Sequence, residues 1–319
     1  MNRYEQLFHV KRLLGNTSIW NDASIPYDMV IALIMEGERA AVTASLALRD
    51  DKATNIDYSS APRLIALNAT NAPSLLKNAV THVQYRVTSD WRYTSLDFST
   101  KEAIRGEGLS FEQTGFPRRW YLDLEQDTPS IGLWPVPYSS ITVPGNVLVS
   151  FVTTPSTDDV VHHTGVVDVT HDDATVTGQS TNGWSDYLEA SATVPRYFGI
   201  MSTAEGLPMR WQAMKTATPT GHVWASYTFE LAAVWAGPTT VGTYYVITGT
   251  SGLDRYEKDD SAAVHYAAAK LFERSGNVEM AAAQYGMFER AVAQLRQDSG
   301  FNDLPDYVRQ QAAPVGGGA

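Results

Sequence analysis

Between Pro26 and Leu48 the chain places Val30, Leu33, Ile34, Gly37, Ala41, Ala44 and Leu48 at intervals of three and four. That spacing lays one apolar stripe along a single helical face. The later half of the stripe is glycine and alanine. Side chains so small bury little unless another element comes very close, so the stripe predicts a second helix packed tightly against this one. Ser24, two residues ahead of Pro26, suits the start of such a helix, because proline is tolerated in a first turn.

A matching surface lies near the other end of the chain. DDSAAVHYAAAKLFERSG, residues 259–276, is alanine-rich, with acids in front and Gly276 behind. Acids favour a helix N-terminus and glycine a C-terminal turn, so a helix is expected here. NVEMAAAQYGMFERAVAQLRQ follows at once, with a stripe of Met280, Met287, Phe288, Ala291, Val292 and Leu295. Helices joined by so few residues run antiparallel or sharply angled. A short helix over residues 3–14, ending at Gly15, completes the expected helical set.

The middle of the chain reads differently. RLIALN, HVQYRV and WRYTSLDF are short β-branched and aromatic runs broken by Asn, Pro and Ser clusters, which predicts strands. STKEAIRGEG predicts a helical turn or two, with Ser99 and Glu102 spaced for a capping box. RRWYLDLEQ, SIGLWPVP and NVLVSFVTTP predict three further strands. After Pro155 the chain is rich in Thr, Gly, Trp and Tyr and poor in Lys and Arg, with alternating runs such as RYFGIMS, HVWASYTFEL and GTYYVITG. Several short strands with no helical run between them point to a small sandwich or barrel.

The expected fold is therefore α+β: a helical bundle from the N- and C-terminal helices, a small β-sheet region, and an inserted all-β domain. The expected boundaries are a core of 1–155 together with 254–300, an insert over 156–253, and an extended tail over 301–319. The tail has no periodicity and ends in glycines, so it is expected to become ordered only on contact with a partner.

Bulk charge and composition narrow the function classes. A formal net charge of −11 argues against a sequence-reading nucleic-acid binder, which needs a basic face to neutralise phosphates. The chain has no cysteine, which removes disulfides, iron–sulfur clusters, thiolate zinc sites and thiol catalysis. The first residues lack the apolar run of a secretory signal, and no stretch approaches the ~18 apolar residues of a membrane span. Synthesis in a cytosol, with no membrane partner, is the expectation.

Motifs for chemistry are sparse. GEG at 106–108 lacks the remaining elements of a phosphate-binding loop, and neither a zinc-binding HEXXH nor a GxSxG elbow is present. His162 and His163, near Asp158, Asp159, His171, Asp172 and Asp173, are the best candidates for a divalent ion. Adjacent strand residues face opposite ways, however, so both histidines cannot serve one ion on a regular strand. GFPRRWYLDLEQDTPSIGLWPVP, residues 115–137, crowds Asp123, Glu125 and Asp127 beside aromatic rings. Glycoside hydrolysis needs two acids about 5–10 Å apart across a sugar. Asp123 and Glu125, alternating with apolar neighbours, instead fit one face of a half-solvated strand. Trp184, Trp211, Trp224 and Trp235 fall roughly one per strand or turn of the insert, as core-filling rings would, though a sugar-binding face has the same composition. No catalytic residue, metal or cofactor is expected.

One combination is more specific than any single motif. A long N-terminal helix leads into strands; G-F-P-R-R-W-Y is followed by I-G-L-W-P-V-P and V-L-V-S-F-V-T-T-P; and S-G-N-V-E-M-A-A-A-Q-Y lies in the closing helices. Over about residues 20–155 and 253–300 this resembles the head-to-tail adaptor (connector) proteins of tailed bacteriophages. Gly115, Pro117, Trp134, Pro135 and Pro137 carry the likeness as fold labels. Trp120–Tyr121 departs from it, since a single tyrosine is usual there. TVTGQSTNGWSDY and VWAGPTTVGTYYVITG are similar to a β-module found inside some of these adaptors.

The resemblance implies a structural virion protein, not an enzyme. It would sit in the neck between capsid and tail after synthesis in the bacterial host cytoplasm. Such a chain forms a ring, usually dodecameric, below the portal protein. The ring extends the channel for transient passage of double-stranded DNA and docks a tail or nozzle protein. The implied portal contact is the segment from Phe301 to Arg309, with Leu304, Pro305, Tyr307 and Val308 as apolar anchors. Two other readings remain open at this point: a β-module binding a glycan or a tail protein, and a cell-wall hydrolase of the tail neck.

Overall fold

The computed structural model describes the chain except residues 16–18, 21–23, 56–63, 68–74, 88–91, 109, 124–129, 139–144, 154, 156–159, 179–183, 185–195, 216–226, 252, 254–257, 305, 311 and 313–319, and the side chains of 75–79, 306 and 307. The fold is α+β. It divides into two compact units, Met1–Ala41 with Pro155–Leu295, and Val42–Thr154 with Arg296–Pro314.

In the first unit, helix α1 (Arg3–Leu13) starts at a capping box in which Asn2 and Glu5 each bond the other's backbone N–H. Helix α2 (Tyr27–Ser45) contributes its first four turns to this unit. Val30, Ile31 and Ile34 of α2 are buried with Tyr4, Leu7 and Val10 of α1. Ala263, Val264, Ala267 and Leu271 of α4 (Ser261–Arg274) complete that core. The small stripe acts as expected. A Cβ on Gly37 would meet the Tyr266 Cβ at 2.9 Å and the Ala263 carbonyl oxygen at 3.0 Å, so α2 and α4 touch almost backbone to backbone. The chain then turns at Gly276, whose φ of +78° favours glycine, into α5 (Val278–Asp298). Ala281 packs on Ala268 and Phe272, and the Phe288 ring lies 5.3 Å from that of Tyr266.

The buried stripe of α5 is Ala281, Gln284, Phe288, Val292 and Leu295. Met280 and Met287, expected in that stripe, are 39% and 44% exposed. Hydrophobicity pointed to the methionines, whereas the face that meets the alanines of α4 is set by where a close approach is sterically open.

A seven-stranded sheet belongs to the same unit. Its strands are β9 (Val161–His162), β10 (Val167–Val169), β11 (Thr175–Gly178), β12 (Arg196–Met201), β13 (Trp211–Ala213), β14 (Thr228–Glu230) and β15 (Thr240–Gly249). The order is β13-β12-β15-β10-β11-β14, with β9 also pairing β15. The Tyr4 backbone N–H donates to Thr248 Oγ1 at 3.0 Å, the Tyr4 hydroxyl to the Gly206 carbonyl at 2.9 Å, and Trp211 Nε1 to Glu5 at 2.8 Å. These bonds explain why the division differs from the expected one. The strand region of 156–253 does not stand apart as an insert, because its longest strand runs against α1 and shares its core.

Polar groups bind the same helices together. Arg3, fully buried, donates to both carboxylate oxygens of Glu38 at 2.8 and 3.0 Å. Gln6 donates to Glu38 and to Asp260, each at 3.2 Å.

The second unit holds two four-stranded sheets. One runs β1 (Arg49–Thr54), β8 (Val147–Thr153), β3 (Leu75–Tyr85), β4 (Thr94–Ser95); the other runs β2 (Leu64–Ala66), β7 (Ser130–Trp134), β6 (Arg119–Asp123), β5 (Asp97–Phe98). Val83, Val149 and Phe151 from the first sheet share a core with Trp120, Ile131 and Leu133 from the second. Helix α3 (Lys101–Gly106) is capped by Thr100, whose side chain accepts from the Ala103 N–H. Ser99, the expected cap, lies one residue too early.

Candidate functional site

The stretch 115–137 forms the antiparallel pair β6–β7, in register from Arg119↔Trp134 to Asp123↔Ser130. Its fold-label residues have structural work. The Gly115 N–H donates to the Val136 carbonyl, and a Cβ at Gly115 would sit 3.3 Å from that of Pro135. Trp134 is buried and donates its Nε1–H to the Ser110 carbonyl at 3.1 Å. Pro117 and Pro137 are both buried beyond the open end of the pair, where Arg119 faces Trp134. Arg119 spans the Trp134 ring and grips both oxygens of Glu107 at 2.8 and 2.9 Å.

The expected half-solvated face of β6 is covered instead. Asp123 is 5% exposed and ion-paired with Lys101 Nζ at 2.7 Å, while Ile104 and Phe111 pack over Tyr121 and Trp134. An acid neutralised in this way is held to shape the sheet, not poised across an open cleft. Glu125 and Asp127 lie outside the described residues.

The adjacent histidines of the first unit part company at the end of β9, which stops at His162. His162 is buried with its ring 6.0 Å from that of Tyr245, whereas the His163 ring stacks on Trp20 with centroids 3.5 Å apart. Tyr4 also stacks with Trp20 at 5.4 Å, and Tyr27 meets Trp20 edge-on at 5.4 Å. His171 is exposed and bonds the Gly237 carbonyl through Nδ1 at 2.9 Å. Asp158 and Asp159 lie outside the described residues. Among the described residues, no three His, Asp or Glu side chains converge in a group that could hold a metal ion.

Burial, with the neighbouring His162, holds the His163 imidazole down at about 4, well below the ordinary value of about 6.5. The unfolded chain therefore takes up this proton first as pH falls. The stability contributed by neutral His163 is complete above pH about 6.5 and is lost as pH falls toward about 4. Thermal melts followed by tryptophan fluorescence across that window should show this loss, and His163→Phe should flatten it.

Beside this aromatic stack, Asp28, Ile31, Ala32, Met35 and Arg39 of α2 and Val161 of β9 line an open cleft of about 570 Å³. The volume suits a few side chains or a small molecule. Aliphatic side chains line it together with Tyr27, with one acid toward one end of the helical face and one arginine toward the other. That set recognises an apolar surface flanked by charges; it offers no paired acids and no activated nucleophile. Nothing in the sequence marked the cleft, because its rows of residues belong to strands and helices far apart in the chain.

Three of the four tryptophans singled out in the sequence lie among the described residues. Trp184 and Trp235 are buried in the core of the seven-stranded sheet with Phe198, Phe229 and Tyr245. Trp184 Nε1 donates to the Tyr245 hydroxyl at 2.7 Å, which donates onward to the Thr164 carbonyl at 2.6 Å. Trp211 is half-buried and bonded to Glu5, and Trp224 lies outside the described residues. Tyr245→Phe strands the Trp184 N–H in an apolar core, and about 1–3 kcal/mol of stability should be lost in chemical denaturation.

The segment expected as an extended tail is folded over much of 301–312. Phe301–Asp303 form one 3-10 turn and Asp306–Arg309 a short helix, α6. Leu304 and Val308, expected as free anchors, are 5% and 0% exposed and pack on Leu46 and Val152, with Phe301 half-buried beside them. Arg296 stacks over Phe301 and bonds the Ala44 carbonyl, and Arg309 reaches the Asn302 carbonyl at 3.4 Å. The physical reason is tertiary: Leu46 and Val152 offer an apolar surface that Leu304, in extended backbone, and Val308 of α6 cover together. Pro305 and the side chain of Tyr307 lie outside the described residues.

Comparison of the chain with family models, with curated proteins and with solved structures finds no match. Among the described residues no helix is long and apolar enough to cross a membrane.

Proposed function

We propose that this chain is a head-to-tail adaptor of a tailed bacteriophage. In this reading it is a structural virion protein of the neck, forming a dodecameric ring below the portal protein. The ring extends the channel for double-stranded DNA and docks a tail or nozzle protein. The observation that carries the reading is the pair of motifs at Gly115–Tyr121 and Ile131–Pro137. They form one hairpin-like sheet element, in a chain whose two ends supply helices that pack on each other.

Helices α1, α2, α4 and α5 act as the helical bundle of the ring wall, and the seven-stranded sheet as the added β-module. A net charge of −11 suits a channel along which DNA must slide without adhering. The segment 301–309 is the portal arm, and Leu304 and Val308 leave Leu46 and Val152 to make that contact. Electron microscopy of the purified chain mixed with its portal protein tests the proposal. A ring seated on the portal is the expected image; a chain that never associates with portal sinks the reading.

A further inference from the structure

The first unit presents two complementary surfaces on different helices. One is the cleft face of α2, with Asp28, Ala32, Met35 and Arg39 in line. This face points away from Gly37, and so away from α4, because residues 35 and 37 stand about 200° apart around a helix. The other is the uncovered face of α5, where Met280 and Met287 are 39% and 44% exposed around Ala283. A Cβ added at Gly286 would meet nothing within 4 Å, so that face is open to close approach. Glu279 and Arg290 are exposed on the same side.

The charges on the two surfaces match in spacing as well as in sign. Asp28 and Arg39 are 11 residues apart (39 − 28), as are Glu279 and Arg290 (290 − 279). At 1.5 Å per residue both pairs span about 16 Å. An α5 helix laid antiparallel along α2 of another molecule sets Arg290 against Asp28 and Glu279 against Arg39. The same register brings Met287 to Ile31 and Ala32, and Ala283 to the bulkier Met35. At Met35 a large side chain then meets a small one, and at Ala32 the small Gly286 lets the helices come close.

We infer that the α2 cleft is the receptor for α5 of a second copy of this chain. The two surfaces differ, so the contact is heterologous: each molecule offers its cleft to one neighbour and its α5 to another, the arrangement that closes a ring. This inference deepens the proposed ring and rests on that reading.

The natural chain has no cysteine, so introduced thiols report the contact without background. Full-length Met35→Cys and Ala283→Cys chains, mixed and oxidised at high concentration, should form a mixed disulfide, since these positions face each other in the register above. Neither chain alone should dimerise, and the double variant should give a ladder of linked oligomers. Arg39→Glu in the first chain should remove the mixed product, and Glu279→Arg in the second should restore it. Homotypic dimers in place of the mixed product, or a mixture that stays monomeric, would overturn the inference. A ladder from a protein that ignores portal leaves this contact standing and sinks the adaptor reading; portal rings from a protein that gives no ladder do the reverse.

Discussion

Replacing Gly132 with alanine is expected to cost about 3 kcal/mol of unfolding free energy, toward the upper end for overpacking a core. Gly132 of β7 stands opposite Tyr121 of β6, and the tyrosine ring lies directly across it. A Cβ at position 132 would fall 2.0 Å from Tyr121 Cζ and 2.4 Å from its hydroxyl oxygen. The ring would have to move, yet Phe111 meets it edge-on at 5.4 Å and Ile104 and Trp134 share its cluster. Urea denaturation of Gly132→Ala measures the loss. The double variant Gly132→Ala, Tyr121→Leu should be less destabilised than the two single losses added together, because the smaller side chain vacates the space the methyl needs. Strict additivity would mean that the ring does not depend on the glycine.

Arg3→Ala is expected to have the other large effect, about 3–5 kcal/mol. Arg3 and Glu38 are both fully buried and joined by two charge-assisted hydrogen bonds, so truncating the arginine leaves the carboxylate in the interior with Gln6 as its remaining partner from α1. Replacing both members together, as Arg3→Met with Glu38→Leu, removes the stranded charge and should recover much of the loss. Equilibrium denaturation of the two single variants and the double one decides it: a double variant as unstable as either single would show that packing, not charge, dominates.

Much of the fold was legible because it depends on local pattern. The helices at 3–13, 27–45, 261–274 and 278–298 follow from periodicity and capping chemistry, and Gly276 ends its helix where a positive φ is needed. The strands of 119–123, 130–134 and 147–153 follow from β-branched and aromatic runs between prolines and glycines. The candidate surfaces were less legible. Met280 and Met287 were expected inside and lie outside, and Leu304 and Val308 were expected free and are buried. In each case the side chain's hydrophobicity was plain, but the surface available to cover it belonged to another part of the chain.

The stretch 115–137 shows the same division. Its sequence alone placed two strands in it, since glycine and proline act on their own backbone. The second strand stops at Trp134, however, and not at the expected Pro137. Only the tertiary structure decided what its acid does: Asp123 is neutralised by Lys101 of α3, an element folded over a face that alternation alone would have left to water. Likewise Gly37 announced a close helix contact, but its partner at Ala263 and Tyr266 is 226 residues further along (263 − 37). Backbone preference is a property of each residue and its neighbours. Burial, pairing and the line of charges along the α2 cleft depend on which distant segments the closed core brings together.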